Sequence, residues 1–319
     1  MIKRKPGDSR SGIQKRDPGC IEMQSKLRLG VGIATAGRRV ILSETLRDLA
    51  RQKRIPEALF VCPASADDFD ASQAALLSFP VHIVQGSRGS SAQRNAILDA
   101  VEGFDLLMFF DDDYIAEPSY LAELEDCFMA NPAVVAATGR LLADGINGPG
   151  LDIATGRSIL ASYKPPIADT ALVSRTSAYG CNMAVRLAPV REHGIRFDEN
   201  LPLYGWAEDV DFCRRLAAYG SIVENPRTVG VHLGVKSGRT SGVRFGYSQI
   251  ANPYYLWHKG TAVPGAALHH VARNVAANFA KSLWPEPWVD RRGRALGNIL
   301  GFVDFLRGRL HPTRILEIE

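Results

Sequence analysis

The run Leu106-Leu107-Met108-Phe109-Phe110 passes without a break into Asp111-Asp112-Asp113. A strongly apolar run of that length fits a buried strand, and charge directly after it marks the edge of the sheet. On an extended chain alternate side chains point the same way, so Asp111 and Asp113 share a side and Asp112 faces the other. Two carboxylates on one side of a strand end repel unless a cation sits between them. A hard divalent ion, Mg²⁺ or Mn²⁺, is the natural counter-ion, and such ions usually carry a phosphate ligand as well. The plain alternative is a solvated acidic turn, since short acidic loops are common after strands.

The residues around this run set the fold class. Leu29-Gly30-Val31-Gly32-Ile33-Ala34 reads as a first strand, and Leu42, Leu46 and Leu49 follow at helical spacing. Ala58-Leu59-Phe60-Val61-Cys62 and Val81-His82-Ile83-Val84 are the next strands. A capped helix start at Ser90-Ser91 precedes the fourth strand, which is the run above. Strands alternating with helices predict an α/β fold whose central sheet is mostly parallel and flanked by helices. Ligands of such sheets bind beyond the carboxyl ends of the strands. Residues 35–38, 63–67 and 111–113 converge there.

Further on, Ala136 lies in a candidate strand over 134–138, residues 142–164 read as an irregular cover rich in Gly and Pro, and 179–186 as a strand. A helix is predicted through Phe212, Leu216 and Ala217 up to Gly220, with two short strands at 222–223 and 229–232 behind it. A basic glycine-rich loop with Lys236 and Arg239 follows, and the remainder reads as helical.

The bulk composition narrows the class. At 46% hydrophobic and 23% charged residues in 319, the chain is a folded globular protein rather than a disordered one. A net charge of +4 is too mild to imply nucleic acid but suits anionic substrates or a membrane surface. Five cysteines, Cys20, Cys62, Cys127, Cys181 and Cys213, make no C-x-x-C pair and read as reduced thiols. No apolar run reaches the roughly 20 residues that span a bilayer, and no apolar signal core stands at the amino terminus, so a cytoplasmic location is expected. Residues 1–26 are polar and basic and read as a flexible extension.

A second acidic cluster, Glu208-Asp209 with Asp211, follows Tyr204-Gly205-Trp206 at a predicted helix start. Acidic residues favour a first helical turn through the dipole, which accounts for them without any chemistry. Beside a metal-and-phosphate site, however, a separate carboxylate is placed to take a proton from an incoming hydroxyl.

Taken in order, Thr35-Ala36-Gly37-Arg38, Gln93-Arg94-Asn95, Phe109-Phe110-Asp111-Asp112-Asp113, Gly180-Cys181-Asn182-Met183 and Gly205-Trp206-Ala207-Glu208-Asp209-Val210-Asp211 resemble the family 2 glycosyltransferases of the GT-A fold. Similarity is nearest to bacterial exopolysaccharide and rhamnosyl-type transferases. It covers roughly residues 27–260. The resemblance implies inverting transfer of a sugar from a nucleoside diphosphate to a hydroxyl of a glycan or lipid-linked acceptor. It implies a catalytic domain over 27–262, with 27–115 binding nucleotide and 116–262 carrying acceptor and catalysis, then a helical carboxyl-terminal extension over 263–319.

Carried over residue by residue, the resemblance makes Asp111 and Asp113 the D-x-D pair, with Asp113 the more direct metal ligand and Asp112 beside them. Asp209 becomes the catalytic base and Glu208 its neighbour toward the acceptor, while Asp211 pairs with Arg214 or Arg215. Thr35, Arg38 and Arg94 fall where nucleotide binds, and Asn182 and Trp206 on the sugar side. His232, Lys236 and Arg239 are candidates for a further metal or diphosphate contact. One departure concerns the base: family members often carry an acidic motif after the second strand, where this chain has Cys62-Pro63-Ala64-Ser65-Ala66-Asp67-Asp68. Uracil, thymine and guanine therefore all stay open.

Two other classes compete. A haloacid-dehalogenase-type phosphohydrolase also places D-x-D after an apolar strand, but usually on the first strand of its core. A non-catalytic nucleotide-sugar binder would lack a base. Near the carboxyl end, Leu283-Trp284-Pro285-Glu286-Pro287-Trp288 and an apolar helical stripe flanked by arginines suit either packing on the catalytic domain or a peripheral contact with the inner membrane.

Overall fold

The computed structural model describes residues 26–75, 77–165, 171–238 and 240–318. Arg239, Cys20 and nearly all of the expected amino-terminal extension lie outside the described residues. In chain order the elements are β1 (Leu29–Thr35), α1 (Arg39–Leu49), β2 (Ala58–Pro63), α2 (Ala71–Ala74), β3 (Val81–Ile83), α3 (Ser90–Ala100), β4 (Leu106–Asp111) and β5 (Tyr114–Ala116). Next come α4 (Tyr120–Ala130), β6 (Val134–Asp144), α5 (Ile153–Ser162), β7 (Val173–Arg175), β8 (Asn182–Arg186), α6 (Leu187–Glu192) and α7 (Glu208–Leu216). The chain closes with β9 (Ser221–His232), α8 (Gly242–Lys259), α9 (Pro264–Lys281) and α10 (Arg291–Leu306).

The strands form one mixed sheet in the order β3-β2-β1-β4-β8-β6-β9-β5, with β7 on β9. Its first four strands are mutually parallel, and β8 runs antiparallel to β4. Helices cover both faces, as the alternating β/α pattern predicts. On β4, Leu106, Met108 and Phe110 join a cluster with Leu42 and Leu46 of α1 and Leu121, Leu124 and Phe128 of α4. Leu107 and Phe109 point the other way, to Ile97 of α3 and Phe212 and Leu216 of α7. Burial on both faces explains why β4 is apolar throughout. The apolar environment also pushes the buried thiols of Cys62 and Cys213 up, to about 11 and about 12, as fits reduced core cysteines.

Two elements depart from the sequence reading. The expected cover over 142–164 instead continues β6 to Asp144 and then forms α5, capped by the Asp152 carboxylate, which accepts from the Thr155 N–H at 2.7 Å. The two short strands expected at 222–223 and 229–232 are the ends of one strand, β9. Pro226 has no N–H for the ladder, and the β6–β9 register shifts where Gly139 pairs with Asn225 and Arg140 with Val229.

The carboxyl-terminal helices pack closely on α8. Asn278 of α9 donates to the Gln249 side chain at 2.7 Å and to Asn298 at 2.9 Å, while Asn298 of α10 donates to the Gly246 carbonyl at 2.7 Å. Glycines permit this approach: a Cβ at Gly297 would lie 2.0 Å from the Val243 carbonyl oxygen. Gly297→Ala is therefore expected to push α10 off α8 and to destabilise the protein by about 1–3 kcal/mol, read as a lowered urea midpoint.

Candidate functional site

A cleft of about 1230 Å³ opens at the carboxyl ends of β1 and β4, between the sheet and α7–α9. It exceeds the roughly 300–1,000 Å³ of typical small-molecule sites, so it has room for more than one ligand. Both acidic clusters border it.

The triple-aspartate turn splits as strand alternation predicts. Asp112 turns inward: its carboxylate accepts from Thr35 Oγ1 at 2.7 Å and from Arg38 Nη1 at 2.8 Å, and its carbonyl accepts from Thr45 Oγ1 at 2.9 Å. Burial raises its pKa to about 6 despite the opposing pull of Arg38. Asp111, Asp113 and His232 turn together, each offering a ligand atom within 4.8 Å of the others. β5–β9 pairing sets His232 opposite Tyr114, beside the turn.

Asp113 is fully buried; its Oδ2 accepts from the Val235 N–H at 2.8 Å, while its Oδ1 has no hydrogen bond and faces His232 Nε2 at 3.4 Å. Burial would raise Asp113, but His232, Arg38 and the Val235 N–H hold it down to about 2. His232 Nδ1 meets Asp144 Oδ1 at 2.8 Å. Burial would lower the imidazole, yet Asp113 and Asp144 outweigh it and lift it to about 10. A buried carboxylate oxygen that accepts no hydrogen bond, a second carboxylate and an imidazole braced by a carboxylate form a set of O and N donors that fits Mg²⁺ or Mn²⁺.

Arg94 joins the two acidic clusters. Its guanidinium is buried over the rings of Phe109 and Phe197, donates to the Gly180 carbonyl at 2.9 Å, meets Asp111 Oδ1 at 3.1 Å and pairs with Glu208 Oε1 at 2.5 Å. Glu208 also accepts from Ser90 Oγ at 3.0 Å. Burial lifts Glu208 to about 7 against the pull of Arg94, with Asp209 adding to the rise. Its oxygen is thus committed to holding Arg94.

Asp209 stands at the first turn of α7, where Ala207 adopts a left-handed φ of 72° that a non-glycine residue seldom takes. The Asp209 oxygens each accept one backbone N–H, from Gly180 and from Val210, both at 2.8 Å. Burial raises its pKa, with Arg94 pulling the other way. A carboxylate oxygen has capacity beyond one such bond, and Asp209 borders the cleft. Asp211 is elsewhere: it is fully buried and bound to Arg215, Lys259 and Thr261. That matches the structural pairing expected for it through Arg215.

The other expected residues divide. Thr35, Arg38 and Trp206 border the cleft. Lys236 instead donates to the carbonyls of Gly145 at 3.0 Å and Ile146 at 2.8 Å, which ties its loop to the end of β6. Asn182 does not border the cleft. It is fully buried, its Oδ1 taken by Thr138 Oγ1 at 2.5 Å and its Nδ2 by Tyr114 Oη at 3.0 Å and the Gly139 carbonyl at 3.1 Å. Its amide joins β8, β6 and β5, so the expected sugar contact is corrected to a structural one. Asp67 is exposed beside a smaller pocket with Arg39 and Ser237, while neighbouring Asp68 accepts from the Gly37 N–H at 2.6 Å.

Asp144 and the helix α9 were not anticipated at the site. Asp144 reaches His232 only through β6–β9 pairing, across 88 positions of sequence.

No protein-family model matches the chain, and no curated protein matches it. Solved structures do. The mannosyltransferase PcManGT from Pyrobaculum calidifontis, in complex with GDP-Man and Mn²⁺, is 15% identical over 90% of this chain and 89% of that one, with a TM-score of 0.54. S. aureus TarS 1–349 in complex with UDP-GlcNAc is 16% identical over 87% of this chain and 81% of that one, with a TM-score of 0.50. Against S. aureus TarS in a longer form, the match spans 71% of this chain but only 40% of that one, at 16% identity and a TM-score of 0.46. The fold of this chain is the mixed α/β, GT-A-like fold of PcManGT.

Proposed function

We propose that the chain is a metal-dependent, inverting glycosyltransferase that moves a sugar from a nucleoside-diphosphate donor to a hydroxyl of a glycan or lipid-linked acceptor, in bacterial surface or exopolysaccharide synthesis. The observation that carries this reading is the Arg94 bridge. It links Asp111, which clusters with Asp113 and His232, to Glu208, which adjoins Asp209; Asp111, His232 and Asp209 border one cleft. Two solved structures of similar fold, one in complex with GDP-Man and Mn²⁺ and one with UDP-GlcNAc, support it.

In this reading Asp111, Asp113 and His232 would hold a divalent ion, Mg²⁺ or Mn²⁺, which when bound neutralises charge on the departing diphosphate. Arg38 and Thr35 keep Asp112 turned away from that ion and line the donor side, and Lys236 anchors the loop above it. Arg239 lies outside the described residues and stays an expectation. Asp209 takes the proton of the acceptor hydroxyl as its oxygen attacks the anomeric carbon. The carbon–oxygen bond to the diphosphate breaks and its electron pair leaves with the nucleotide. Attack opposite the leaving group inverts the anomeric centre. Glu208 acts through Arg94, and Trp206 offers a flat face for the acceptor sugar.

The test is a melting-temperature screen with UDP, dTDP and GDP, each with and without Mn²⁺. One nucleotide is expected to stabilise only with metal, by about 2.7 kcal/mol at 100 times its dissociation constant. Stabilisation by none of them, together with turnover of a phosphate ester, would instead support the phosphohydrolase.

Among the described residues no helix is long and apolar enough to cross a membrane. A peripheral contact with the cytoplasmic face is favoured by a different feature. Trp284 and Leu306 are each 83% exposed, and Leu296, Ile299, Phe302 and Phe305 form an exposed stripe along α10. Arg292 and Arg307 stand exposed at its two ends. Such an arrangement suits an anionic bilayer interface. The protein is expected to float with liposomes containing anionic lipid, and the Trp284→Ser, Leu306→Ser double variant to stay at the bottom of the gradient.

A further inference from the structure

One short stretch of backbone ties the base to the ion cluster. The Gly180 N–H donates to Asp209 Oδ2 at 2.8 Å, and the Gly180 carbonyl accepts from Arg94 at 2.9 Å. The Cys181 carbonyl accepts from the Asp111 N–H at 3.0 Å. The Tyr179 N–H donates to Thr138 Oγ1 at 3.3 Å, and the Tyr179 carbonyl accepts from the Asn182 N–H at 3.0 Å. Gly180 has to be small, since a Cβ there would stand 3.1 Å from Asp209 Oδ2 and 3.4 Å from Arg94 Nη2. With these partners, residues 179–181 form a fixed floor between Asp209 and Asp111.

One side chain of this floor is open to the cleft. Tyr179 lines the cleft with 40% of its surface exposed, whereas Ala178, Gly180 and Cys181 beside it are buried. Its position is nonetheless set. The hydroxyl donates to Asp144 Oδ2 at 3.3 Å, and the ring stands edge-on to His232 with centroids 6.1 Å apart. Asp144 meets His232 Nδ1 at 2.8 Å through its other oxygen. An aromatic side chain held at its tip and along its backbone loses little further freedom when a ligand settles on it. Neither the proton transfer nor the ion cluster makes use of this ring.

In a sugar transfer the ion cluster takes the diphosphate and Asp209 takes the acceptor proton. The carbon that changes partners, and the ring it belongs to, then lies between them, over residues 179–181. A pyranose carries apolar C–H faces, and an aromatic plane offers such a face a surface away from water. Resting on the glycosyltransferase reading, we propose that Tyr179 is the seat of the transferred sugar. Its ring packs against a C–H face of the donor's pyranose, and the bond from its hydroxyl to Asp144 aims the ring. The seat thus stands three residues before Asn182, whose own amide is taken up by Thr138, Tyr114 and Gly139.

The test compares each bare nucleotide with its sugar conjugate. Dissociation constants of the full chain are measured by calorimetry, with Mn²⁺ and without acceptor. The probes are UDP, dTDP and GDP beside UDP-glucose, UDP-N-acetylglucosamine, dTDP-rhamnose and GDP-mannose. Tyr179→Ala is expected to weaken the conjugate that the wild type binds by about fivefold, the order expected when a ring face returns to water, and to leave the matching bare nucleotide within about twofold. Retained binding of the bare nucleotide shows that the variant is folded and its ion site intact. Tyr179→Phe keeps the ring and is expected to keep most of the sugar's contribution. Conjugate and bare nucleotide weakened alike, a conjugate unaffected by Tyr179→Ala, or a loss as large in Tyr179→Phe overturns the assignment of Tyr179. So does a wild type that binds a bare nucleotide and none of the conjugates. Failure of the wild type to bind any nucleotide instead overturns the glycosyltransferase reading itself, and the proposal falls with it.

Discussion

Asp209→Asn is expected to lower sugar transfer by about 10²–10⁴-fold while leaving metal-dependent nucleotide binding intact. The amide is nearly isosteric, and its oxygen still accepts one of the two backbone N–H groups that now hold the carboxylate at 2.8 Å. What it cannot do is accept a proton. The pH dependence gives a second check. Burial raises the Asp209 pKa, and the base works only when ionised, so transfer should rise with pH along a limb displaced upward from the ordinary carboxylate range. That limb should vanish in the variant. Transfer by Asp209→Asn at the wild-type rate would remove this residue from the mechanism. Glu208→Gln separates the neighbours: Glu208 is bonded to Arg94 and Ser90, so its loss should perturb both acidic clusters, nucleotide affinity included.

Most of the architecture was legible because its signals are local. β4 is buried on both faces and therefore apolar at every position, and the aspartates after it announce the end of the strand. Helix α7 was legible from Phe212 and Leu216 and from the acidic first turn. The misreadings have physical causes. Helix α5 carries Gly156 and follows Gly148-Pro149-Gly150, so its composition argued for a loop, although Asp152 was a usable capping signal. Strand β9 looked interrupted because Pro226 cannot pair, yet a shift in register carries the strand past it. At the site, the sequence placed Asn182 beside a sugar because its position along β8 was readable and its direction was not. The Arg94 bridge and the Asp144–His232 contact depend on residues 114 and 88 positions apart, which no local pattern records. Helix α9 was hidden for the same reason: it lines the cleft through packing on α8, where Asn278 bonds Gln249, 29 positions away.

Asp113→Ala is expected to abolish nucleotide stabilisation that depends on Mn²⁺. At 100 times the wild-type dissociation constant this removes about 2.7 kcal/mol, a loss of about 4 °C in the melting shift. The reason is the position of its two oxygens. Oδ2 is spent on the Val235 N–H, which holds the following loop, while Oδ1 is buried without a hydrogen bond and is the atom available to an ion. Asp113→Asn separates these duties, because its amide oxygen can still accept from Val235 but the anionic ligand and its ion pairs with His232 and Arg38 are gone; it should fold, melt below the wild type without ligand, and fail to respond to Mn²⁺. Proton linkage offers an independent reading. Asp113 and Asp144 raise His232 to about 10, so at neutral pH the ion must displace a proton from the imidazole. Metal affinity should therefore increase by up to about tenfold per pH unit, levelling off as the pH passes that value. Asp144→Asn removes one of the two carboxylates that raise the imidazole and should move the plateau to lower pH. An affinity for Mn²⁺ that is flat with pH in the wild type would take His232 out of the ligand set, leaving Asp111 and Asp113 to be tested alone.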